Sequence, residues 1–165
     1  MKRTLLLTIF TALLAVPTLA QKFGHIDSSA LLASMPETTE IQGKIEQEAL
    51  VYEQELQNMQ ASFQAKYEEY QQKVNTWPDA IRSSKEVELQ NLQQGIQDFS
   101  VTAQQDLAKL EETLLTPMLD RAKEAIEAVG KENGFTYIFD TSTGVTVYNG
   151  GEDVMDLVKA KLGME

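Results

Sequence analysis

The chain contains no cysteine and a single histidine, His25. No disulfide can therefore staple it, no thiolate can act as ligand or nucleophile, and a histidine-based metal site or catalytic dyad has only one imidazole to draw on. Proline occurs four times, at Pro17, Pro36, Pro78 and Pro117, so little interrupts a long helix. Basic residues are also scarce. Fourteen Lys and Arg face 25 Asp and Glu, a formal charge of −11. Phosphate binding needs a basic stripe, so no nucleic-acid partner is expected. Beyond Val16 no apolar run approaches the about 20 residues that cross a bilayer as a helix.

What is present begins with a leader. Lys2 and Arg3 precede the apolar run Leu5 to Val16, and Thr18-Leu19-Ala20 closes it with a small residue. This is the pattern of a cleaved secretory signal peptide over residues 1–20, and no cysteine follows to carry a lipid anchor. Its removal leaves 12 basic and 25 acidic residues, a charge of −13. The mature protein is expected to be exported as a soluble protein.

The strongest pattern lies between Ile41 and Leu114. Ile41, Ile45, Ala49, Tyr52, Leu56, Met59, Phe63, Tyr67, Tyr70, Val74 and Trp77 step by three or four, as do Ile81, Leu89, Leu92, Ile96, Phe99, Ala103, Leu107, Leu110 and Leu114 after them. Lys85 is the polar break in the second series. Both are coiled-coil seams, and they mirror one another: Phe63 with Leu92, Met59 with Ile96 and Leu56 with Phe99 each add to 155. The midpoint falls at Trp77 and Pro78. Proline disfavours helical geometry in the residue before it and Asp79 can start a new helix, so a turn is expected there. The result is an antiparallel helical hairpin over residues 37–116 with its tip at 77–78.

The remainder, residues 21–36 and 117–165, reads as a small strand and helix head. Phe23 to Ile26 suits a strand, and Asp27 or Ser28 can cap a turn carrying Leu31, Leu32 and Met35. Asn133-Gly134 suits a helix end, Phe135 to Phe139 a second strand, and Val145 to Tyr148 a returning strand after a Thr141–Gly144 turn. Val154, Leu157, Val158 and Leu162 then mark the inner side of a last helix. So small a head is near the lower limit for a core of its own. The fold class is α+β: a long coiled-coil finger on a strand head that assembles, with Ile26, Ile138 and Val147 as the candidate residues of the assembling head. Pro117 lies inside a pattern that continues to Val129, which makes it a candidate flexing joint.

No catalytic, cofactor or metal constellation emerges, and no enzyme is expected. Glu68-Glu69 and Glu111-Glu112 are adjacent on helices and point to different sides, and neither Asp140-Thr141-Ser142 nor Gly150-Gly151-Glu152-Asp153 has the ligand spacing of a calcium loop. The finger offers surface instead. Phe63, Tyr67 and Tyr70 are bulky enough to spill over the seam, and Met and aromatic groups adapt to varied apolar partners. Between Lys66 and Lys85 four cations, Lys66, Lys73, Arg82 and Lys85, outnumber Glu68, Glu69 and Asp79. That makes the tip a candidate contact for an acidic client or, transiently, an anionic membrane surface.

Phe23-Gly24-His25-Ile26-Asp27 followed by Pro36-Glu37, then Leu114-Leu115-Thr116-Pro117, Asn133 through Ser142, and the closing Asp153 to Leu162 helix resemble, in their order, the Skp (OmpH-like) family of periplasmic chaperones. The resemblance implies a homotrimer whose strands join in a small barrel and whose hairpins enclose unfolded outer-membrane proteins without ATP. It also implies basic fingers, from which this acidic chain departs. A structural or adaptor protein of the envelope, whose hairpins bind one folded partner, is the competing expectation; it requires a second apolar stripe outside the seam, which the sequence lacks.

Overall fold

The computed structural model describes residues 21–164, and the leader lies outside them. The elements run β1 (Lys22–Ile26), α1 (Ser28–Ser34), α2 (Pro36–Lys73), α3 (Asp79–Glu132), β2 (Phe135–Asp140), β3 (Glu152–Asp153) and α4 (Met155–Lys161). They form two compact units, one of Ala30–Glu124 and the other of residues 21–29 and 125–164.

In the helical unit α2 and α3 pair in the expected register. Met59 reaches over Gly95, Lys66 over to Glu88 and Tyr70 to Glu86, and Thr38 meets Met118. Their numbers add to between 154 and 156. With 38 residues, α2 is about 57 Å long at ~1.5 Å per residue. Pro36 opens it at a position where the missing N–H breaks no bond. The turn falls at 74–78, where the Pro78 carbonyl accepts from the Ile81 and Arg82 amides to start α3. Pro117 lies within α3, which continues through it. Around it, the Thr113 and Thr116 hydroxyls donate to the carbonyls of Lys109 and Glu112, both at 2.7 Å. Arg121 pairs with Glu37 across the helices.

The second unit holds a three-stranded sheet in the order β2-β1-β3, with both pairs parallel. Residues 145–148, expected to return as a strand, do not form one. A hairpin would have added an antiparallel strand beyond β2 and left the other edge of β1 open. Instead the chain passes on, and Glu152–Asp153 pairs with Gly24 and His25, extended by the Val154 amide donating to the His25 carbonyl at 3.0 Å. Central β1 thus has partners on both sides, as buried peptide groups require. The inner face carries Gly24, Ile26 and Ile138, and Val154 and Val158 of the α4 segment are fully buried. At Gly24 a Cβ would crowd the Phe135 and Val154 side chains at 3.0 Å, so glycine lets them pack closely over the strand. Gly134, with φ +69°, ends α3 in the left-handed conformation and turns the chain into β2. Leu157, expected inward, is partly exposed.

The start of α1 is capped from far away in sequence. Asp140, at the end of β2, accepts from the Ser28 amide at 3.2 Å, the Ser28 hydroxyl at 2.6 Å and the Ser142 amide at 3.0 Å. Partial burial would raise this carboxyl's pKa, but the Ser28 hydroxyl and the Ser142 contacts outweigh it and bring it down to about 2. The adjacent Thr141 amide donates to the Ile26 carbonyl at 2.8 Å.

Candidate functional site

The hairpin seam is only half closed. Two helices cover one side of each other's apolar stripe and leave its margins to water, and from residue 42 to 102 not one side chain is buried. Leu56, Met59, Phe63, Leu92, Ile96 and Phe99 are all intermediate. Buried residues of this unit, Leu31, Met35, Ile41, Ala103, Met118 and Ala122, lie outside that stretch. Tyr52 and Phe99 meet edge to face across the seam at 5.9 Å, and Phe63 stacks on Tyr67 along α2 at 6.0 Å. Tyr67 is 40% exposed, while Phe63 is half-buried. Ile81, expected in the seam, is more exposed still, because it lies in the first turn of α3 where the helices have just separated from the turn.

At the tip, the structure pairs every expected cation. Lys66 and Lys85 both donate to Glu88, Lys85 at 2.8 Å; Lys73 pairs with Glu69 at 2.8 Å and Arg82 with Asp79. Hydrogen bonds from Lys66 and then Lys85 hold the Glu88 carboxyl down to about 2. The Tyr70 hydroxyl donates to Glu86 at 2.6 Å, a bond that raises its pKa, and its ring packs near Trp77. The excess of positive charge in residues 66–85 is therefore compensated by Glu86 and Glu88, which lie just past that window. Lys66–Glu88 and Tyr70–Glu86 join α2 to α3, and Lys85, the polar break in the seam, holds Glu88 from within α3.

The sheet unit presents a different surface. Phe23, Tyr137 and Phe139 project from the outer face of β1 and β2 as a continuous ring cluster, with centroids 6.0 to 6.3 Å apart. Tyr137 is 59% and Phe139 49% exposed. In the loop after β2, Val145, Val147 and Tyr148 are almost uncovered, Val147 completely. Of the residues expected in the assembling head, Val147 is exposed, whereas Ile26 is buried in the chain's own core and Ile138 packs inward toward Gly130. The three rings on the opposite side of the same strands were missed. Alternation along Phe135–Phe139 carried the signal, since Tyr137 and Phe139 flank the inward Ile138 and so fall on the other side. A groove of about 250 Å³ adjoins the rings, lined by Phe23, His25, Phe139, Tyr148 and Asn149 among others. His25 Nδ1 is buried there without a partner.

Among the described residues no cluster of His, Asp and Glu could hold a metal ion, and no helix is long and apolar enough to cross a membrane. What the molecule offers is two apolar surfaces, one half-covered and long, the other aromatic and compact.

Comparison with known proteins places these features. The model of a family described as outer membrane protein (OmpH-like) matches residues 22–162. The chain is 22% identical over 140 residues to the chaperone protein Skp of Pectobacterium atrosepticum, covering 85% of each. Its fold is similar to that of a crystal structure from Caulobacter crescentus described as a candidate outer membrane chaperone (OmpH-like), with a TM-score of 0.74 at 15% identity over 86% of this chain and 83% of that one.

Proposed function

Because this chain belongs to the OmpH-like outer membrane protein family, we propose that it is an ATP-independent holdase of the periplasm, which keeps unfolded outer-membrane proteins from aggregating. The observation that carries this reading is the half-open seam, unburied from residue 42 to 102. An unfolded barrel strand shows apolar groups on alternate residues, in no fixed arrangement along the chain. A long margin of adaptable Met, Leu, Phe and Tyr can meet such segments in many registers, each contact weak. Retention then comes from number, since several fingers on one assembly raise the effective concentration of each.

The aromatic outer face of the sheet supplies the means of assembly in this account. Three copies join through Phe23, Tyr137, Phe139 and Val147, with Ile26 and Ile138 supporting the strands from behind. An uncovered cluster of rings on a small sheet fits the apolar centre of a permanent interface. The fingers of the trimer then enclose the client, and Pro117 is the joint at which each can flex.

The adaptor reading has less to support it. Val87 and Val101, exposed on α3, are 14 residues apart with Gln94 between them, and Leu50 with Val51 forms an isolated pair on α2. They make no second stripe for a folded partner. The deciding experiment dilutes an unfolded outer-membrane barrel protein from urea and follows light scattering. The mature protein should suppress scattering without ATP, at a mass of three chains. Unchanged scattering would remove the holdase reading.

A further inference from the structure

Midway along the hairpin the charge disappears from both helices at the same height. In α2, residues 56–65 read Leu-Gln-Asn-Met-Gln-Ala-Ser-Phe-Gln-Ala; in α3, residues 89–97 read Leu-Gln-Asn-Leu-Gln-Gln-Gly-Ile-Gln. Neither contains a charged side chain, in a protein where 24% of residues are charged. The register makes these stretches neighbours: Lys66 meets Glu88 at one end, Tyr52 meets Phe99 at the other, and the Met59 methyl lies over Gly95 between them. The result is a neutral band around the hairpin, about 15 Å high at ~1.5 Å per residue. Carboxylates stand on either side of it, Glu53, Glu55, Glu68 and Glu69 on α2 and Glu86, Glu88 and Asp98 on α3.

The band is furnished with amides. Gln57, Gln64 and Gln94 donate outward to Glu53, Glu68 and Asp98 at 3.4, 2.8 and 2.8 Å. Gln60, Gln90, Asn91, Gln93 and Gln97 make no side-chain hydrogen bond among the described residues, and all are exposed. Each side-chain amide carries two N–H donors and a carbonyl acceptor, the same complement of groups that a peptide bond presents. Half-exposed Leu56, Met59, Phe63, Leu92 and Ile96 lie between them.

From this arrangement we infer that the neutral band is the gripping zone for clients, and that its occupant is an uncharged, extended segment of unfolded polypeptide held by its backbone. The inference rests on the holdase reading and locates it. Charge complementarity selects the occupant. Elsewhere on the hairpin a client strand must desolvate carboxylates or their ion pairs to make close contact, which is unfavourable unless the charges find new partners. Over the band it displaces only water, and its peptide groups exchange one amide-like partner for another. At about 3.3 Å per residue, the band accommodates four or five residues of extended chain. Transmembrane β-strands, alternating apolar and uncharged polar residues, suit it. Gly95, which leaves the Met59 side chain room to move, lets the apolar margin adjust to different sequences.

The test places charge in the band at exposed sites. One variant carries Gln60, Gln90, Gln93 and Gln97→Glu, a second carries the same four →Lys, and a control carries Gln42, Gln47, Gln104 and Gln105→Glu. Circular dichroism checks that helix is retained. Binding is read as the anisotropy of a labelled, urea-unfolded outer-membrane barrel protein diluted into each. Both band variants should bind about tenfold more weakly, equal to ~1.4 kcal/mol, and the control like the unmodified protein. Tighter binding by the Lys variant with weaker binding by the Glu variant would show long-range steering and overturn the inference. So would a change in assembly mass confined to the band variants, which would make the band a contact between copies. If the unmodified protein binds while both band variants match it, the band alone is wrong. If the unmodified protein fails to bind, the holdase reading falls and the inference with it.

Discussion

The two apolar surfaces of this protein differ in density. On the sheet, three rings lie within 6.3 Å of one another, and Tyr148 shares a groove with two of them. On the hairpin, comparable side chains are spread over some sixty residues and each is half covered by the opposite helix. Concentrated aromatic surface favours one fixed partner, because central, fully desolvated residues dominate the energy of an interface. Dilute, half-covered surface favours no particular partner. We read the first as the seat of self-assembly and the second as the seat of client binding.

The sharpest way to break this contrast is to charge the dense surface. Phe139→Asp should abolish the proposed trimer completely, since an unpaired charge buried in an interface costs several kcal/mol. Analytical ultracentrifugation should then give one chain mass with the helix content retained. Ile138→Asp should behave differently, destabilising the sheet unit itself, because Ile138 faces Gly130 in the same chain. If Phe139→Asp leaves the mass unchanged, the outer face is not the interface.

A smaller effect is expected from Asp140→Ala, which removes the acceptor of two hydrogen bonds that join β2 to the start of α1 and of a third from the nearby Ser142 amide. Loss of a helix cap of this kind costs about 1 kcal/mol, measurable by urea denaturation. The pH dependence has a definite sign. Because the folded-state pKa is lowered from 3.8 to about 2, the stabilisation is fully present above pH 3.8 and is lost as pH falls toward 2. The Ala variant should lack that dependence. An identical acid transition in the two proteins would contradict the assignment.

The smallest effect belongs to salt. All four tip cations are already paired with carboxylates, so none awaits an acidic client. Raising salt toward molar concentration, or replacing Lys66, Lys73, Arg82 and Lys85 by Gln, should change client retention little, since screening acts chiefly on exposed, unpaired charge. A sharp loss in both experiments would return the tip to an electrostatic role.

Much of this architecture is written in local pattern. The seams, the turn at Pro78 and the end of α3 at Gly134 follow from helical spacing and from backbone preferences that act over a few residues. What depends on distant pairing is less legible. The segment Val145–Tyr148 has the composition of a strand but no local feature that tells whether the chain returns beside β2 or crosses to the far edge of β1. The cap on Ser28 comes from a residue 112 positions away. The tip charges looked unbalanced because Glu86 and Glu88 follow Lys85 in sequence, while Glu88 meets Lys66 only through the fold. Likewise, the mirror in the seam hints at neighbours, but the alignment of two neutral stretches into one band appears only once the register is applied.

The central claim is that clients meet the half-open hairpin while the aromatic sheet face is occupied by assembly. Site-specific photo-crosslinking tests it most directly, with a photoreactive residue placed in turn at Phe63, Tyr67, Gln93, Tyr137 and Phe139 in the presence of an unfolded outer-membrane barrel protein. The account predicts client adducts from the three hairpin sites and, from the two sheet sites, only adducts between copies of this chain. Client adducts concentrated at Tyr137 and Phe139, with none from the hairpin, would contradict it.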